Sequence, residues 1–284
     1  MNRVNGTPRL SLLLGVVAVS FSAILIRLTH SPSLVVAAWR LTLAAGVLIP
    51  WSLARGRGLS KHGLLLSLLS GAFLALHFSA WIESLRHTTV ASSVVLVTTN
   101  PIFVGLFSLA LGEPPTRPLW QGIGLSTLGG VLIGWGDFAL GGSALWGDLL
   151  ALGGAVMASG YLLVGRRMRR HGELLPYVAT AYGTAALLLL GAMCLFSGEK
   201  LPLRGDWLWI GLLALGPQLV GHTSFNRALR SLPAPAVAVA ILGEPVGAAL
   251  WAFLVFGEGI APLQGVGMVL VLLGIARALR VVWL

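Results

Sequence analysis

Two polar residues, each followed by proline, interrupt apolar stretches of the chain and are the best candidates for chemistry. Asn100-Pro101 lies in the middle of the apolar run Val90–Leu111, and Glu244-Pro245 lies in the middle of Ala234–Phe256. A carboxylate at the centre of a bilayer costs roughly 2.5–3.5 kcal/mol on insertion scales, so Glu244 requires a reason to be there. Proline removes a backbone hydrogen bond and clashes with the carbonyl four residues earlier. Such broken, polar helices are typical of a solvated binding site inside a membrane helix bundle.

The two broken runs differ in what they can do. Glu244 can pair with a cationic group of a substrate, or it can take up and release a proton during a transport cycle. The alternative is a glutamic acid that stays protonated and bonds a neighbouring helix. Asn100 can donate and accept hydrogen bonds but cannot titrate. Pro101, Pro245 and Gly243, which flanks the Glu244-Pro245 pair, are predicted as hinge residues.

Other polar and aromatic residues are spaced to join the same site. His77 and Trp81 are one helical turn apart and therefore share a face. His222 and Asn226 occupy nearly the equivalent stretch of the second half of the chain, and Tyr161 lies between the two sets. We predict that all five bind substrate. The alternatives are buried core histidines for His77 and His222 and an interface anchor for Trp81.

Arg40 is unusual because it lies well inside an apolar run, Leu34–Leu53. It is also predicted as a substrate-binding residue, since it can counter a carboxylate, either that of Glu244 or that of a substrate. An internal structural bond is the alternative. Further polar residues could complete a pocket: Ser20, Ser22, Ser159 and Gln218.

Composition excludes a soluble globular protein. The 284 residues are 56% hydrophobic and only 10% charged, and the mean hydropathy is +0.89. Soluble domains average about 25% charged residues. No zinc-protease, nucleophile-elbow or phosphate-loop motif is present, so we predict neither an enzyme nor direct coupling to nucleotide hydrolysis, and no cofactor.

Ten apolar runs are long enough to cross about 30 Å of hydrocarbon. They are Leu10–Ile26, Leu34–Leu53, Gly63–Ile82, Val90–Leu111, Leu119–Trp135, Ala144–Gly165, Leu174–Phe196, Asp206–Phe225, Ala234–Phe256 and Pro262–Leu279. The first and fifth are short, and Gly216-Pro217 interrupts the eighth. We therefore predict an all-α integral membrane protein with ten transmembrane helices.

The formal net charge of +10 follows the predicted topology. The termini and one set of loops hold fourteen basic residues, whereas the opposite loops hold only Arg27, Arg86, Lys200 and Arg204. The positive-inside rule then places both termini in the cytoplasm. No basic segment is interleaved with stacking aromatics, so nucleic acid is not a predicted partner. The predicted partners are a small-molecule substrate and the lipid bilayer, and the protein can be a monomer.

The chain also contains an internal repeat. A shift of 144 positions aligns Leu85-Arg86 with Leu229-Arg230 and Pro101 with Pro245 without a gap. Each half then has five spans, and an odd number inverts the second half relative to the first. We predict five-helix repeats at residues 1–140 and 141–284, with a shared site at mid-depth between them. Glycine pairs such as Gly130 and Gly134, or Gly243 and Gly247, have the spacing of closely packed membrane helices.

The residues of both halves resemble the EamA family of the drug/metabolite transporter superfamily. The second half carries Ala228-Leu229-Arg230, Leu242-Gly243-Glu244-Pro245-Val246 and Phe256-Gly257-Glu258. The first half resembles a diverged copy, with Asn100-Pro101 and Leu111-Gly112-Glu113. The resemblance covers essentially the whole chain. It implies ten helices in two inverted repeats and transport of small metabolites, commonly efflux.

Together these features predict a secondary transporter in the bacterial inner membrane that works by alternating access. The expected substrates are amino acids or related small polar metabolites, moved outward. Export of cationic drugs is the alternative within transport, and a membrane scaffold is the alternative outside it. The small number of tyrosines, Tyr161, Tyr177 and Tyr182, argues against a specialised exporter of aromatic amino acids.

Overall fold

The computed structural model describes residues 7–56, 58–88, 90–135, 142–257 and 259–283. Glu258, part of the family-like signature, lies outside them. The regular structure of the described residues is helical, without strands. The α-helices of the first half are α1 Thr7–Ser20, α2 Ser22–Arg27, α3 Ser33–Ala54, α4 Lys61–His87, α5 Val90–Val97, α6 Asn100–Ala110 and α7 Arg117–Gly134. Those of the second half are α8 Ser143–His171, α9 Leu174–Phe196, α10 Trp207–Leu213, α11 Thr223–Ala228, α12 Ala234–Ile241, α13 Gly243–Phe256 and α14 Pro262–Trp283.

The protein is a multi-pass membrane protein. Within the described residues, eight helical segments are long and apolar enough to cross a bilayer. The two remaining apolar runs of the sequence correspond to α7, which has 18 residues, and to the interrupted segment from α10 to α11. The all-α prediction is therefore confirmed, whereas the count of ten spans and the cytoplasmic termini stay predictions.

Both proline-containing runs are broken where the chemistry of proline requires it. Helix α5 ends at Val97 and α12 ends at Ile241, in each case four residues before the proline. Those are the two carbonyls that the rings of Pro101 and Pro245 deprive of a hydrogen-bond donor. Each proline then lies in the first turn of the following helix, α6 or α13, where a missing N–H costs nothing.

The segment between α10 and α11 continues as a π-helix, Ala214–His222, with Pro217 inside it. A π-helix has wider turns than an α-helix and commonly occurs at functional sites. The sequence predicted an interruption at Gly216-Pro217, and the structure accommodates it as a change of pitch. The π-helix contains Gln218 and ends at His222, both of which are described with the site below.

Helices of the first half pack against helices of the second half, and the most extensive of these contacts have equivalents when the two halves are interchanged. Helix α3 packs on α9 and α7 packs on α14, each with its own counterpart in the other half. Helix α4 packs on α8, and correspondingly the π-helix and α11 pack on α1. This arrangement fits a two-repeat architecture.

Polar contacts between segments that are distant in the sequence form at both ends of the bundle. At one end, Arg170 forms an ion pair with Glu113 (2.5 Å). At the other end, one carboxylate oxygen of Asp206 accepts hydrogen bonds from the backbone N–H groups of His30 (2.9 Å) and Ser31 (2.7 Å). The Ser31 hydroxyl donates to the same oxygen (2.6 Å). The first contact joins α8 to the connection after α6, and the second joins the start of α10 to the connection between α2 and α3.

Candidate functional site

An internal cavity lies between the halves, at the level of both helix breaks. It is bordered by α4, α8, the end of the π-helix and the two broken helices. Its lining includes six of the predicted binding residues: His77, Trp81, Asn100, Tyr161, His222 and Glu244. The cavity volume is about 50 Å³. A water molecule needs roughly 10–15 Å³ by this measure, so the cavity admits a few waters and must widen to hold a metabolite.

The two residues at the breaks present acceptor atoms to the cavity. Asn100 is the first residue of α6, and its Oδ1 atom is buried with no hydrogen-bond partner among the described residues. Its backbone carbonyl accepts a hydrogen bond from Ser159 Oγ (3.1 Å). Glu244 lies in the first turn of α13, where the helix dipole favours a negative charge. An unsatisfied buried acceptor and a carboxylate in the lining of one cavity suit a ligand that carries N–H groups.

His77 and Trp81 form one wall of the cavity, as their spacing predicted. Their rings are stacked at 5.9 Å with an angle of 10° between their planes. The Nδ1 atom of His77 lies 3.0 Å from the carbonyl of Gly154. Because a carbonyl only accepts, Nδ1 must donate, and in the neutral ring Nε2 is then the acceptor. Trp81 Nε1 is buried without a partner in the described part of the chain, so the wall offers a free donor as well.

His222 lies at the end of the π-helix, opposite this wall. Its ring meets the edges of three aromatic rings: Phe78 at 5.4 Å, Tyr161 at 6.0 Å and Phe225 at 6.3 Å. His222 is the last residue of the π-helix, directly before α11, and this end of the π-helix borders the cavity. The histidines of the two halves therefore reach one cavity.

Asn226 lies behind the cavity wall. Its side chain is fully buried and is not part of the lining. Its Nδ2 atom donates hydrogen bonds to the Tyr161 hydroxyl and to the carbonyl of His222 (2.8 Å). These bonds orient two lining residues, so positioning is the role this geometry suggests, and direct binding by Asn226 stays a prediction.

Arg40 also lies one layer behind the wall. It is fully buried, and its Nε atom donates a hydrogen bond to Gln218 Oε1 (3.1 Å). Its Nη1 and Nη2 atoms have no hydrogen-bond partner in the described residues, and no ion pair within 4 Å joins it to Glu244. Gln218, which the sequence suggested might face the cavity, instead bonds Arg40. The guanidinium stacks on Phe78, a residue that sequence reasoning missed although it follows His77 directly.

The hinge residues are placed as follows. Pro101 and Pro245 begin the second halves of the broken helices. A Cβ atom on Gly243 would lie 2.8 Å from Val16 Cγ1, so this glycine permits the break to pack closely against α1. Their action as hinges stays a prediction. Among the described residues, no group of three or more His, Cys, Asp or Glu side chains could hold a metal ion.

Comparison with known proteins decides the family. The model of the EamA-like transporter family matches twice, over residues 8–135 and 145–280. The chain belongs to the EamA-like transporter family. This EamA-like chain is therefore a membrane transporter of the drug/metabolite transporter superfamily, and the family model matches it once in each half.

A solved crystal structure supports the fold. It has a TM-score of 0.83 to this EamA-like protein and 22% sequence identity, with 99% of each chain covered. At this identity the likeness shows the fold alone. No curated protein matches the sequence.

Proposed function

We propose that the protein is a secondary transporter that moves small polar metabolites, with amino acids or related compounds as the preferred class, outward across a bacterial inner membrane. The observation that carries this proposal is the cavity at the two helix breaks, whose lining includes both Glu244 and Asn100, a residue with an unpartnered Oδ1 atom. Acceptors at the mid-depth interface between repeats are where transporters of this architecture bind their substrates.

The cavity offers complementary groups to a substrate with an ammonium group. Glu244 supplies negative charge, and Asn100 Oδ1 accepts a hydrogen bond from the same group. Trp81 provides an aromatic face on which a cation is stabilised by about 0.5–2 kcal/mol. His77 presents Nε2 as an acceptor in its neutral form.

Arg40 is the proposed partner for an anionic end of the substrate. A buried guanidinium with two unpartnered nitrogens is costly unless an anion pairs with it during the cycle. Arg40 stacks on Phe78 and neither residue is in the lining, so the cavity would have to widen for a substrate to reach the guanidinium. The site would then hold a zwitterion, with its cationic end at Glu244 and its carboxylate at Arg40.

Alternating access is the proposed mechanism, with the breaks as hinges. A cavity of about 50 Å³ is far below the roughly 300–1,000 Å³ of typical ligand sites, so binding requires the halves to separate. Motion at Pro101 and Pro245 would change the angle between the parts of each broken helix and open the cavity to one side at a time. Proton exchange through Glu244 is the proposed coupling, because it is the one titratable carboxylate in the lining.

Export of cationic drugs is a second candidate, and one observation favours it. Among the described residues of the lining, Glu244 is the one acidic residue, most of the others are aromatic or apolar, and Arg40 is absent. A cavity of this kind would accept an apolar cation without using Arg40.

The proposed topology has five-helix repeats at residues 1–140 and 141–284, both termini in the cytoplasm and a monomer as the working unit. The basic residues of the loops support this orientation through the positive-inside rule.

Counterflow in liposomes tests the proposal. The protein is reconstituted, a panel of amino acids and of their decarboxylated amines is loaded, and exchange is followed across pH with native protein and Glu244→Gln. We expect native protein to exchange at least one zwitterion, and Glu244→Gln to lose both exchange and its pH dependence. Normal exchange by Glu244→Gln at every pH would exclude proton coupling through this residue. Preference for the amines would favour the drug exporter, and absence of any flux would favour a scaffold.

A further inference from the structure

A second, separate groove lies near the end of the bundle where Arg170 pairs with Glu113. It has a volume of about 620 Å³ and shares no lining residue with the central cavity. Its apolar part is formed by α4, α6 and α8, with Leu69, Phe107 and Leu163 among the lining. Leu69 is 43% exposed and Phe107 is 38% exposed, so this part opens towards the hydrocarbon of the membrane.

The groove ends at three arginines of α8, namely Arg166, Arg167 and Arg170. Glu113 is the acidic residue in its lining, so positive charge is in excess. Arg167 is exposed and forms no ion pair with any residue that the structure describes. Arg166 donates from Nη1 to the carbonyls of Leu229 (2.6 Å) and Arg230 (3.1 Å), while its buried Nε has no partner in the described part.

We propose that this groove binds one anionic phospholipid, with the phosphate at Arg166, Arg167 and Arg170 and an acyl chain along the apolar part. Charge complementarity selects an anion, since guanidinium groups bind phosphate through paired, charge-assisted hydrogen bonds. The apolar continuation towards hydrocarbon selects a ligand with a chain over a soluble ion. Basic pockets between membrane helices are suited to such headgroups.

The position of the groove links lipid binding to the transport machinery. Its lining includes Pro233 and Pro235, at the start of α12, which is the first part of the broken helix that carries Glu244. A phosphate at the arginines also competes with Glu113 for Arg170, whose ion pair joins α8 to the connection after α6. The bound lipid would therefore contact α4, α6, α8 and α12 together and weaken that ion pair.

Binding is tested with purified full-length protein by native mass spectrometry. Phosphatidylglycerol and phosphatidylcholine are offered at equal concentration to native protein and to the double variant Arg167→Gln/Arg170→Gln. The matched control is Arg277→Gln/Arg280→Gln, which removes two exposed charges of α14 that do not line the groove. We expect native protein and the control to retain one phosphatidylglycerol in preference to phosphatidylcholine, and the groove variant to lose that preference at least tenfold.

Competition then distinguishes a lipid site from an anion site. Glycerophosphoglycerol, the headgroup without acyl chains, and inorganic phosphate are added to the native complex. Retention of the lipid at millimolar competitor supports the proposal, because the chain contributes to binding. Displacement by either soluble anion would show an anion site without a lipid groove. Equal loss in the two double variants, or no preference for the anionic lipid in native protein, would overturn the proposal.

Discussion

The guanidinium carbon of Arg40 lies 4.0 Å from the centre of the Phe78 ring, and the same ring packs against two histidines that line the central cavity. Phe78 meets the rings of His77 (4.8 Å) and His222 (5.4 Å). A desolvated cation–π contact contributes about 2 kcal/mol, less than a buried, incompletely bonded charge costs. The arrangement is therefore one that an anionic group entering from the cavity would stabilise.

Arg40→Gln should slow the counterflow of zwitterionic substrates more than the counterflow of amines. We expect at least tenfold slower counterflow of a zwitterion, because its carboxylate loses its partner, and little change for the corresponding amine. Arg40→Lys should restore only part of the activity, since lysine lacks the planar paired donors of arginine. The matched control is Arg55→Gln, which removes a cation stacked on Trp51 away from the cavity. Equal effects of Arg40→Gln on zwitterion and amine would contradict a carboxylate-binding role.

Asn226→Leu should raise the substrate KM without removing a lining residue. The substitution keeps the volume of the side chain but deletes its hydrogen bonds to Tyr161 and to the His222 carbonyl. We expect Tyr161→Phe and Asn226→Leu to be non-additive, because residues in one hydrogen-bond network couple. The measurement is KM and maximal rate for the two single variants and the double variant. Additive effects would show that Asn226 acts independently of Tyr161.

The helix breaks and six of the fourteen described lining residues were predictable because their signals are local. Proline acts on the carbonyl four residues before it, which fixes the ends of α5 and α12 at Val97 and Ile241. The turn-spaced pair His77 and Trp81 required only helical periodicity. Repeat equivalence then predicted that His222 would reach the same site.

Other features depend on helix phase and depth, which no local pattern specifies. The π-helix Ala214–His222 changes the direction of Gln218, so this carboxamide bonds Arg40 and does not face the cavity. Phe78 cannot be distinguished from other apolar core residues by sequence, and only the structure shows that it stacks on Arg40. Asn226 follows His222 by one helical turn, which predicts a shared face, yet its side chain is fully buried outside the lining, where it bonds Tyr161.

Pro245→Ala should slow transport without unfolding the protein. Alanine restores the N–H that the Ile241 carbonyl lacks and removes the clash of the ring, which favours one continuous helix from α12 into α13. We expect a lower turnover with an unchanged or higher melting temperature, because a stiffer hinge opposes separation of the halves. Pro50→Ala, inside the uninterrupted helix α3, is the control for loss of a proline. Native turnover in Pro245→Ala would show that the break is not a hinge.

Gly129→Ala should destabilise the contact between α7 and α14. A Cβ atom there would lie 2.5 Å from the carbonyl oxygen of Gly267, and backbone cannot move aside cheaply. Overpacking of this kind costs about 1–3 kcal/mol. Gly130→Ala is a close control, because its Cβ meets nothing within 4 Å even though the sequence pattern had singled out Gly130. The fraction of folded protein after heating in detergent distinguishes them, and equal losses would contradict close packing at Gly129.

Asp206, which lies at the opposite end of the bundle from Arg170, should make the free energy of unfolding depend on pH. Burial tends to raise the pKa of this carboxyl, but hydrogen bonds from the Ser31 hydroxyl and from the backbone N–H groups of His30 and Ser31 outweigh it and hold the pKa below its usual value. A lowered folded-state pKa contributes stability that is present above the unfolded value, about 3.9, and is lost as pH falls through the folded pKa.

We therefore expect Asp206→Asn to lower stability at pH 7 by about 1–3 kcal/mol, the range for a lost hydrogen bond to a charged group. Below about pH 4 the difference from native protein should shrink, because the native carboxyl becomes protonated as well. Melting temperatures in detergent from pH 7 to pH 3 measure both effects, with exposed Glu199→Gln as the control. A difference between Asp206→Asn and native protein that stays constant over this range would mean that the ionised carboxylate does not anchor the loop around Ser31.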